Sequence, residues 1–226
     1  MRYYPMFLDI KGRSCLVVGG GTVGTRKAET LLKCGAAVTV ISRAFSSTLS
    51  ESRYSGSLVL MNKDYKPSDL EGMFLVFAAT DNRSLNHRIK QDAEERGLLF
   101  TIADDPDGSR FIAPSLVERG DLTIAVSTAG QSPAFARKLK QDLEKQFGPE
   151  YEAFLRIMGN VRKNILAQGH DPESHKHLFR QLIDRDVPSM IKEGRYHDAG
   201  KTFDEIFGPG IVTEKLWEAE RTDKRC

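Results

Sequence analysis

Through the first half of the chain, short apolar runs bounded by glycine or polar residues alternate with longer stretches of helical spacing. Ser14–Val18 is one such run. Thr22–Lys33 has helical spacing and is closed by Gly35, and Ala37–Ile41 is a second run rich in β-branched residues. Leu58–Met61 reads as a short third strand, Phe74–Ala79 as an apolar fourth, Asn82–Arg96 as a helix closed by Gly97, and Leu98–Ala103 as a fifth strand. Strands alternating with helices predict right-handed crossovers and a mostly parallel sheet covered on both faces.

The pattern then changes. Arg110–Ala113 and Leu122–Val126 read as strands joined by Val117-Glu118-Arg119-Gly120, which predicts a small antiparallel or mixed unit. Ser132 as N-cap and Pro133 at the first helical position open a helix over about Ala134–Phe147, which Gly148-Pro149 breaks. From Glu150 to Trp217 the spacing is helical. Phe154, Leu155, Met158, Val161, Ile165 and Leu166 recur at helical intervals, and Asp171-Pro172-Glu173 starts a helix with Phe179, Leu182 and Ile183 as its apolar stripe. Val187–Lys192 and Ala199–Phe207 complete the series, and Arg221–Cys226 is a polar end. The fold class is therefore α/β: an N-terminal Rossmann-type parallel sheet over 1–110, a small mixed α+β segment over 111–148, and a helical C-terminal domain over 149–226.

Composition adds exclusions. The net charge of +2 makes no global demand for nucleic acid or a membrane surface. No apolar run is long enough to span a bilayer, and the stretch Met1–Phe7 lacks the apolar core of a secretion signal. Cys15, Cys34 and Cys226 have neither metal spacing nor an even disulfide count. Cys15 and Cys34 read as small core residues, which fits a reducing, cytoplasmic compartment.

The chemistry gathers where strands end. Gly19-Gly20-Gly21-Thr22-Val23-Gly24 follows the first strand and opens the first helix as Gly-x-Gly-x-x-Gly. In that pattern Gly19 permits the turn, Gly21 lets the backbone approach a pyrophosphate, and Gly24 lets helix and strand pack closely; the helix start offers free N–H groups. After the second strand comes Ser42-Arg43-Ala44, with no carboxylate for a ribose. Ser42 can bond the ribose and Arg43 can stack on adenine or pair with a 2′-phosphate, so NAD and NADP both stay open on these residues. Thr80 and Asp81 follow the fourth strand as cofactor contacts or helix caps. Asp104-Asp105-Pro106 follows the fifth, where one carboxylate can face the cleft as a base or a transient metal ligand. Ser127 and Thr128 lie in a second hydroxyl-rich loop entering a helix. The cations Arg110, Arg119, Arg137, Lys138 and Lys140 suggest a polycarboxylate or phosphate ligand. His170, His175 and His177 lack the spacing of a metal site, so no permanent metal is expected.

Taken in order, Tyr4-Pro5-Met6-Phe7-Leu8-Asp9-Ile10, Val17–Val23, Arg26-Lys27, Ala78-Ala79-Thr80-Asp81, Asp104-Asp105-Pro106, Phe111-Ile112-Ala113-Pro114-Ser115 and Ser127–Ala134 resemble the precorrin-2 dehydrogenase/sirohydrochlorin ferrochelatase module of sirohaem synthesis. The resemblance covers about residues 1 to 145. It implies NAD-dependent oxidation of precorrin-2 to sirohydrochlorin, which in some members is followed by insertion of ferrous iron in the same pocket. It also implies a homodimer built largely by the middle segment. The family's essential aspartate falls on Asp104, and its NAD contacts on the glycine turn, Thr22, Val23, Arg43 and Ala44. Fused members carry a uroporphyrinogen methyltransferase after the module; this chain stops too early for it, so the resemblance implies that it acts alone or receives precorrin-2 from a separate enzyme. Some members have serine where this chain has Thr128. Arg110, Ser127, Thr128 and Arg137 are the candidate substrate contacts. Two other readings stay open: a dehydrogenase without chelatase activity, and a non-catalytic module that senses dinucleotide.

Overall fold

The computed structural model describes residues 2–51, 56–103, 105–167 and 175–212. The chain forms two compact units, Met1–Ala113 and Pro114–Cys226.

In the first unit five parallel strands lie in the order β3-β2-β1-β4-β5. They are β1 Ser14–Val18, β2 Ala37–Ser42, β3 Leu58–Asn62, β4 Leu75–Ala78 and β5 Leu99–Ile102. The pleat sends alternate residues to opposite faces. Cys15 and Val17 of β1, with Leu75 and Phe77 of β4, meet Ala28, Leu31 and Leu32 of helix α1 (Thr22–Lys33). Leu16 and Val18, with Val76 and Ala78, meet Ile89 and Ala93 of helix α3 (Arg83–Glu95) on the other face. Both faces are thus covered, so every residue of β4 is buried. Burying a side chain such as Phe100 or Leu16 stabilises the unit by about 1.5–3 kcal/mol. A one-turn helix α2 (Ser47–Ser50) and a 3₁₀ turn (Pro67–Leu70) fill connections whose periodicity is too short to be read from sequence.

In the second unit β6 (Ser115–Arg119) and β7 (Leu122–Val126) pair antiparallel, followed by α4 (Pro133–Gln146), α5 (Glu150–Ala167), α6 (Lys176–Asp184), α7 (Val187–Lys192) and α8 (Tyr196–Phe207). Ala153, Phe154, Ile157, Val161 and Ile165 of α5 form one stripe. They pack with Leu182, Val187, Ile191, Ala199 and Phe203 in a core of their own.

Four expectations are corrected. Arg110–Ala113 is not a strand: the Arg110 N–H bonds the Phe100 carbonyl, and the Phe111 ring packs edge-on against Phe77 at 5.4 Å, so apolar burial occurs without a ladder. Val117–Arg119 is strand rather than connection. The turn is Gly120-Asp121 alone, with Gly120 at φ +58° as a two-residue hairpin of this hand requires. Cys34 is exposed because it lies past the last turn of α1, whereas Cys15 is buried as expected. Ile183 is 61% exposed, since Leu182 takes the inward position on α6. Asp171-Pro172-Glu173, His170, Trp217 and Arg221–Cys226 lie outside the described residues.

Candidate functional site

The strand order reverses between β1 and β4, and open parallel sheets bind ligands beyond the strand ends at that point. Gly19 leaves β1 at φ +117°. A Cβ there would meet the Ala79 carbonyl oxygen at 2.3 Å, so only glycine lets the loops after β1 and β4 approach so closely. A Cβ on Gly24 would lie 1.8 Å from the Gly19 oxygen; this glycine allows α1 to rest on its own strand. Gly21 differs. It is the N-cap of α1, exposed, with nothing within 4 Å of a built Cβ and no side chain capping the helix. By contrast α2, α3 and α4 are each capped, by Ser46, Asn82 and Ser132. The first turn of α1, with Thr22 and Val23 exposed beside Gly21, is therefore an open cradle for an anion, with N–H groups and a helix dipole aimed at it. These residues fit a dinucleotide pyrophosphate.

The loop after β2 is pinned to this turn. The Ser46 N–H donates to the Gly20 carbonyl at 3.0 Å, and the Ser46 hydroxyl lies 2.8 Å from that of Thr25. Within the loop, Ser42 Oγ accepts from the Ala44 N–H at 3.4 Å. Arg43 does not project alone. Its Nε and Nη2 bond Asp64 Oδ1 and Oδ2 at 2.6 and 2.7 Å, and Asn62 donates to its carbonyl. The Arg43 guanidinium holds the Asp64 carboxyl below its ordinary range. A carboxylate thus stands beside the loop after β2, pairing with Arg43 from beyond β3, too far along the chain for a motif to find.

After β4, Thr80 is clamped by Asn86. The amide of Asn86 donates to the Thr80 carbonyl at 3.0 Å and accepts from its N–H at 3.3 Å. Asn86 is 1% exposed, on the same face of α3 as Ile89 and Ala93. A polar residue within an apolar helical stripe was the available signal for it. Asp81 is exposed, and Asn82, not Asp81, caps α3 by accepting from the Leu85 N–H at 3.0 Å. In α1, Lys27 lies 5.7 Å from the Phe77 ring centroid, where burial lowers its pKa.

Asp104 lies outside the described residues. Its flanks are fixed by Ser109, whose buried hydroxyl accepts from the Ile102 N–H at 2.9 Å and donates to the Asp105 carbonyl at 2.8 Å. Asp105 turns back into its own loop, accepting from the Gly108 N–H at 2.9 Å. Arg110 is exposed next in sequence.

In the second unit, Ser127 accepts from the Ala129 N–H and Thr128 from the Ser132 N–H, at 3.0 and 3.1 Å. Arg137 is exposed, while Lys138 and Lys140 pair along α4 with Asp142 and Glu144. Arg119 is structural, closing the end of α4 by donating to the carbonyls of Phe147 and Glu144. Among the described residues no group of three or more His, Cys, Asp or Glu side chains could hold a metal, and no helix is long and apolar enough to cross a membrane.

A family model described as "Putative NAD(P)-binding" matches residues 6–115, and one described as "Sirohaem biosynthesis protein central" matches residues 119–146. A sirohaem synthase of Sodalis glossinidius (strain morsitans) is 32% identical over 93% of this chain and 45% of its own length. Siroheme synthase 1 of Pectobacterium atrosepticum is 34% identical over 88% of this chain and 42% of its own. The chain thus spans less than half the length of these curated relatives. Among solved structures, that of SirC, a precorrin-2 dehydrogenase, matches with a TM-score of 0.75 and 28% identity, covering 90% of this chain and 98% of that one. Two family models in sequence order, relatives along most of the chain and a solved structure of the same architecture agree: the chain carries the NAD(P)-binding and central segments found in sirohaem biosynthesis proteins and is similar to sirohaem synthases and to a precorrin-2 dehydrogenase.

Proposed function

We propose that this chain oxidises precorrin-2 to sirohydrochlorin with NAD⁺. The observation that carries the reading is the uncapped start of α1, with open space at Gly21, at the switch point between β1 and β4. The likeness to SirC along most of the chain supports it. Bound NAD⁺ supplies the hydride acceptor. The chain's own residues bind, orient and move the proton. Gly19, Gly21, Thr22, Val23 and Gly24 receive the pyrophosphate, and Ser42, Arg43 and Ala44 the adenosine half. Thr80 and Asp81 face the nicotinamide half. Asp104 takes the proton that the macrocycle loses, so that with the departing hydride the substrate gives up two electrons and two hydrogens. Arg110, Ser127, Thr128 and Arg137 bind its carboxylates. On this reading residues 1–110 carry the cofactor, 111–148 the dimer and substrate contacts, and 149–226 a helical domain.

An anaerobic assay with precorrin-2 and NAD⁺, following NADH and the macrocycle spectrum, tests the proposal. Wild type turns over, and Asp104→Asn binds NAD normally while losing about 100-fold or more in rate, the scale of a general base. A folded wild type that binds NAD without turnover overturns the enzyme reading in favour of a dinucleotide sensor. Ferrous iron as a second substrate, a homodimer and a cytoplasmic location are the finer parts of the proposal. Anaerobic chelation of sirohydrochlorin, light scattering and cell fractionation test them.

A further inference from the structure

The Arg26-Lys27 pair that follows the glycine turn has no part in the phosphate cradle. Arg26 is exposed, whereas Lys27 is half-buried. The Lys27 ammonium lies 5.7 Å from the centre of the Phe77 ring, against which Phe111 packs edge-on. Among the described residues no carboxylate pairs with it. Burial, and then the like charge of Arg26, lower its pKa. A ring face offers a cation about 0.5–2 kcal/mol. Withdrawing an ammonium from water costs more than that unless an anion answers it. A methionine would fill the same space without that cost, so packing does not account for the charge.

The registers place the ammonium. A Cβ on Gly24 would meet Val17 Cγ1 at 3.4 Å, and Val17 pairs with Phe77 across β1 and β4. Phe77 is therefore level with the first turn of α1. Side chains on a helix lean toward its N-terminus, which carries the Lys27 ammonium back to that level. Val23, one turn before Lys27 on the same face, is exposed at the cradle. The cation thus stands beside the cradle on its β4 side. The adenosine half of a dinucleotide lies toward β2, on the other side of the switch point. We propose that Lys27 is a substrate-binding residue whose ammonium, backed by Phe77, holds a carboxylate of an acidic side arm of the tetrapyrrole. That carboxylate supplies the counter-charge the fold withholds, and it fixes which edge of the macrocycle meets the cofactor. This rests on the reading of the chain as a precorrin-2 dehydrogenase.

The probe is uroporphyrin I, a stable tetrapyrrole with a carboxylate on every side arm, titrated by fluorescence against the full chain. The KM for precorrin-2, NAD affinity and the urea midpoint are measured alongside. Lys27→Met is expected to weaken uroporphyrin about tenfold or more, as for loss of a hydrogen bond to a charged group. KM rises by more than kcat falls, NAD affinity holds, and the urea midpoint stays at or above the wild-type value because a buried charge is gone. Lys27→Arg recovers part of the uroporphyrin affinity. Uroporphyrin affinity and KM unchanged in Lys27→Met overturn the subsite and leave the dehydrogenase standing. A loss of NAD affinity with uroporphyrin unchanged gives Lys27 to the cofactor and also overturns it. Lys27→Gln is read in parallel, and failure of both neutral variants to fold makes the lysine structural and overturns the proposal. Uroporphyrin binding that needs Lys27, in a chain whose wild type does not oxidise precorrin-2, upholds the acidic subsite and overturns the dehydrogenase. A wild type that does not bind uroporphyrin at 100 micromolar (about the weak end of ligand affinities) overturns the subsite.

Discussion

The three fingerprint glycines do different work, and substitution separates them. Gly21→Ala places a methyl group in open space at φ −77°, so the fold keeps its stability while the methyl occupies the phosphate cradle. NAD affinity, read by calorimetry, is expected to fall about 10- to 100-fold. Gly24→Ala drives a carbon into a backbone oxygen and is expected to cost about 1–3 kcal/mol in urea denaturation. Asp64 decides a second question. With Arg43 engaged by this carboxylate, a 2′-phosphate would meet like charge, so NAD is preferred to NADP. Asp64→Asn is expected to narrow that preference about tenfold, read as the ratio of the two dissociation constants; an unchanged ratio removes Asp64 from cofactor choice. The glycines were legible in the sequence because their spacing is local. Asp64 was not, because its role exists only once β2 and β3 lie side by side.

Between strand and helix, the loops carry what periodicity missed. Ser109 bonds the chain on both sides of Asp104, through Ile102 and Asp105. Ser109→Ala leaves the Ile102 N–H without that acceptor, at a cost of about 1–3 kcal/mol. On the proposed role of Asp104 as the base, it is expected to lower kcat while NAD affinity holds, because a positioning residue would act through that base rather than on the cofactor. Equal loss in kcat and in NAD affinity would mean general unfolding instead. The strands of the first unit were readable to within a residue or two at each end, since each is an apolar run bounded by turn residues. Arg110–Ala113 misled because Phe111 and Ile112 look like strand residues. Phe111 instead spends its apolar surface against Phe77, a long-range contact that no local pattern records. Asn86 was passed over for a similar reason: its partner, Thr80, lies across a turn.

The molecule holds separate apolar cores in its two units. In the first, the buried Cys15 thiol is pushed up to about 11 from 9.0, chiefly by burial. Burial, followed by the hydrogen bond to Asp92, raises the Tyr65 pKa as well. Groups whose folded values are raised contribute stability below their unfolded values and lose it as the pH climbs toward the folded ones. The urea midpoint is therefore expected to hold steady to about pH 9 and then decline, with Cys15 accounting for about 2 kcal/mol by pH 11. Cys15→Ala should flatten part of that slope. Alkaline titration followed by circular dichroism reads both. The uncapped start of α1 has a different consequence. A helix that lacks its cap is completed only when an anion arrives, so the dinucleotide becomes a removable part of the architecture. At a concentration 100 times its dissociation constant it adds about 2.7 kcal/mol to the folded state. In a cell, resistance of this chain to proteolysis would then rise and fall with the dinucleotide pool, and abundance of the protein would follow it.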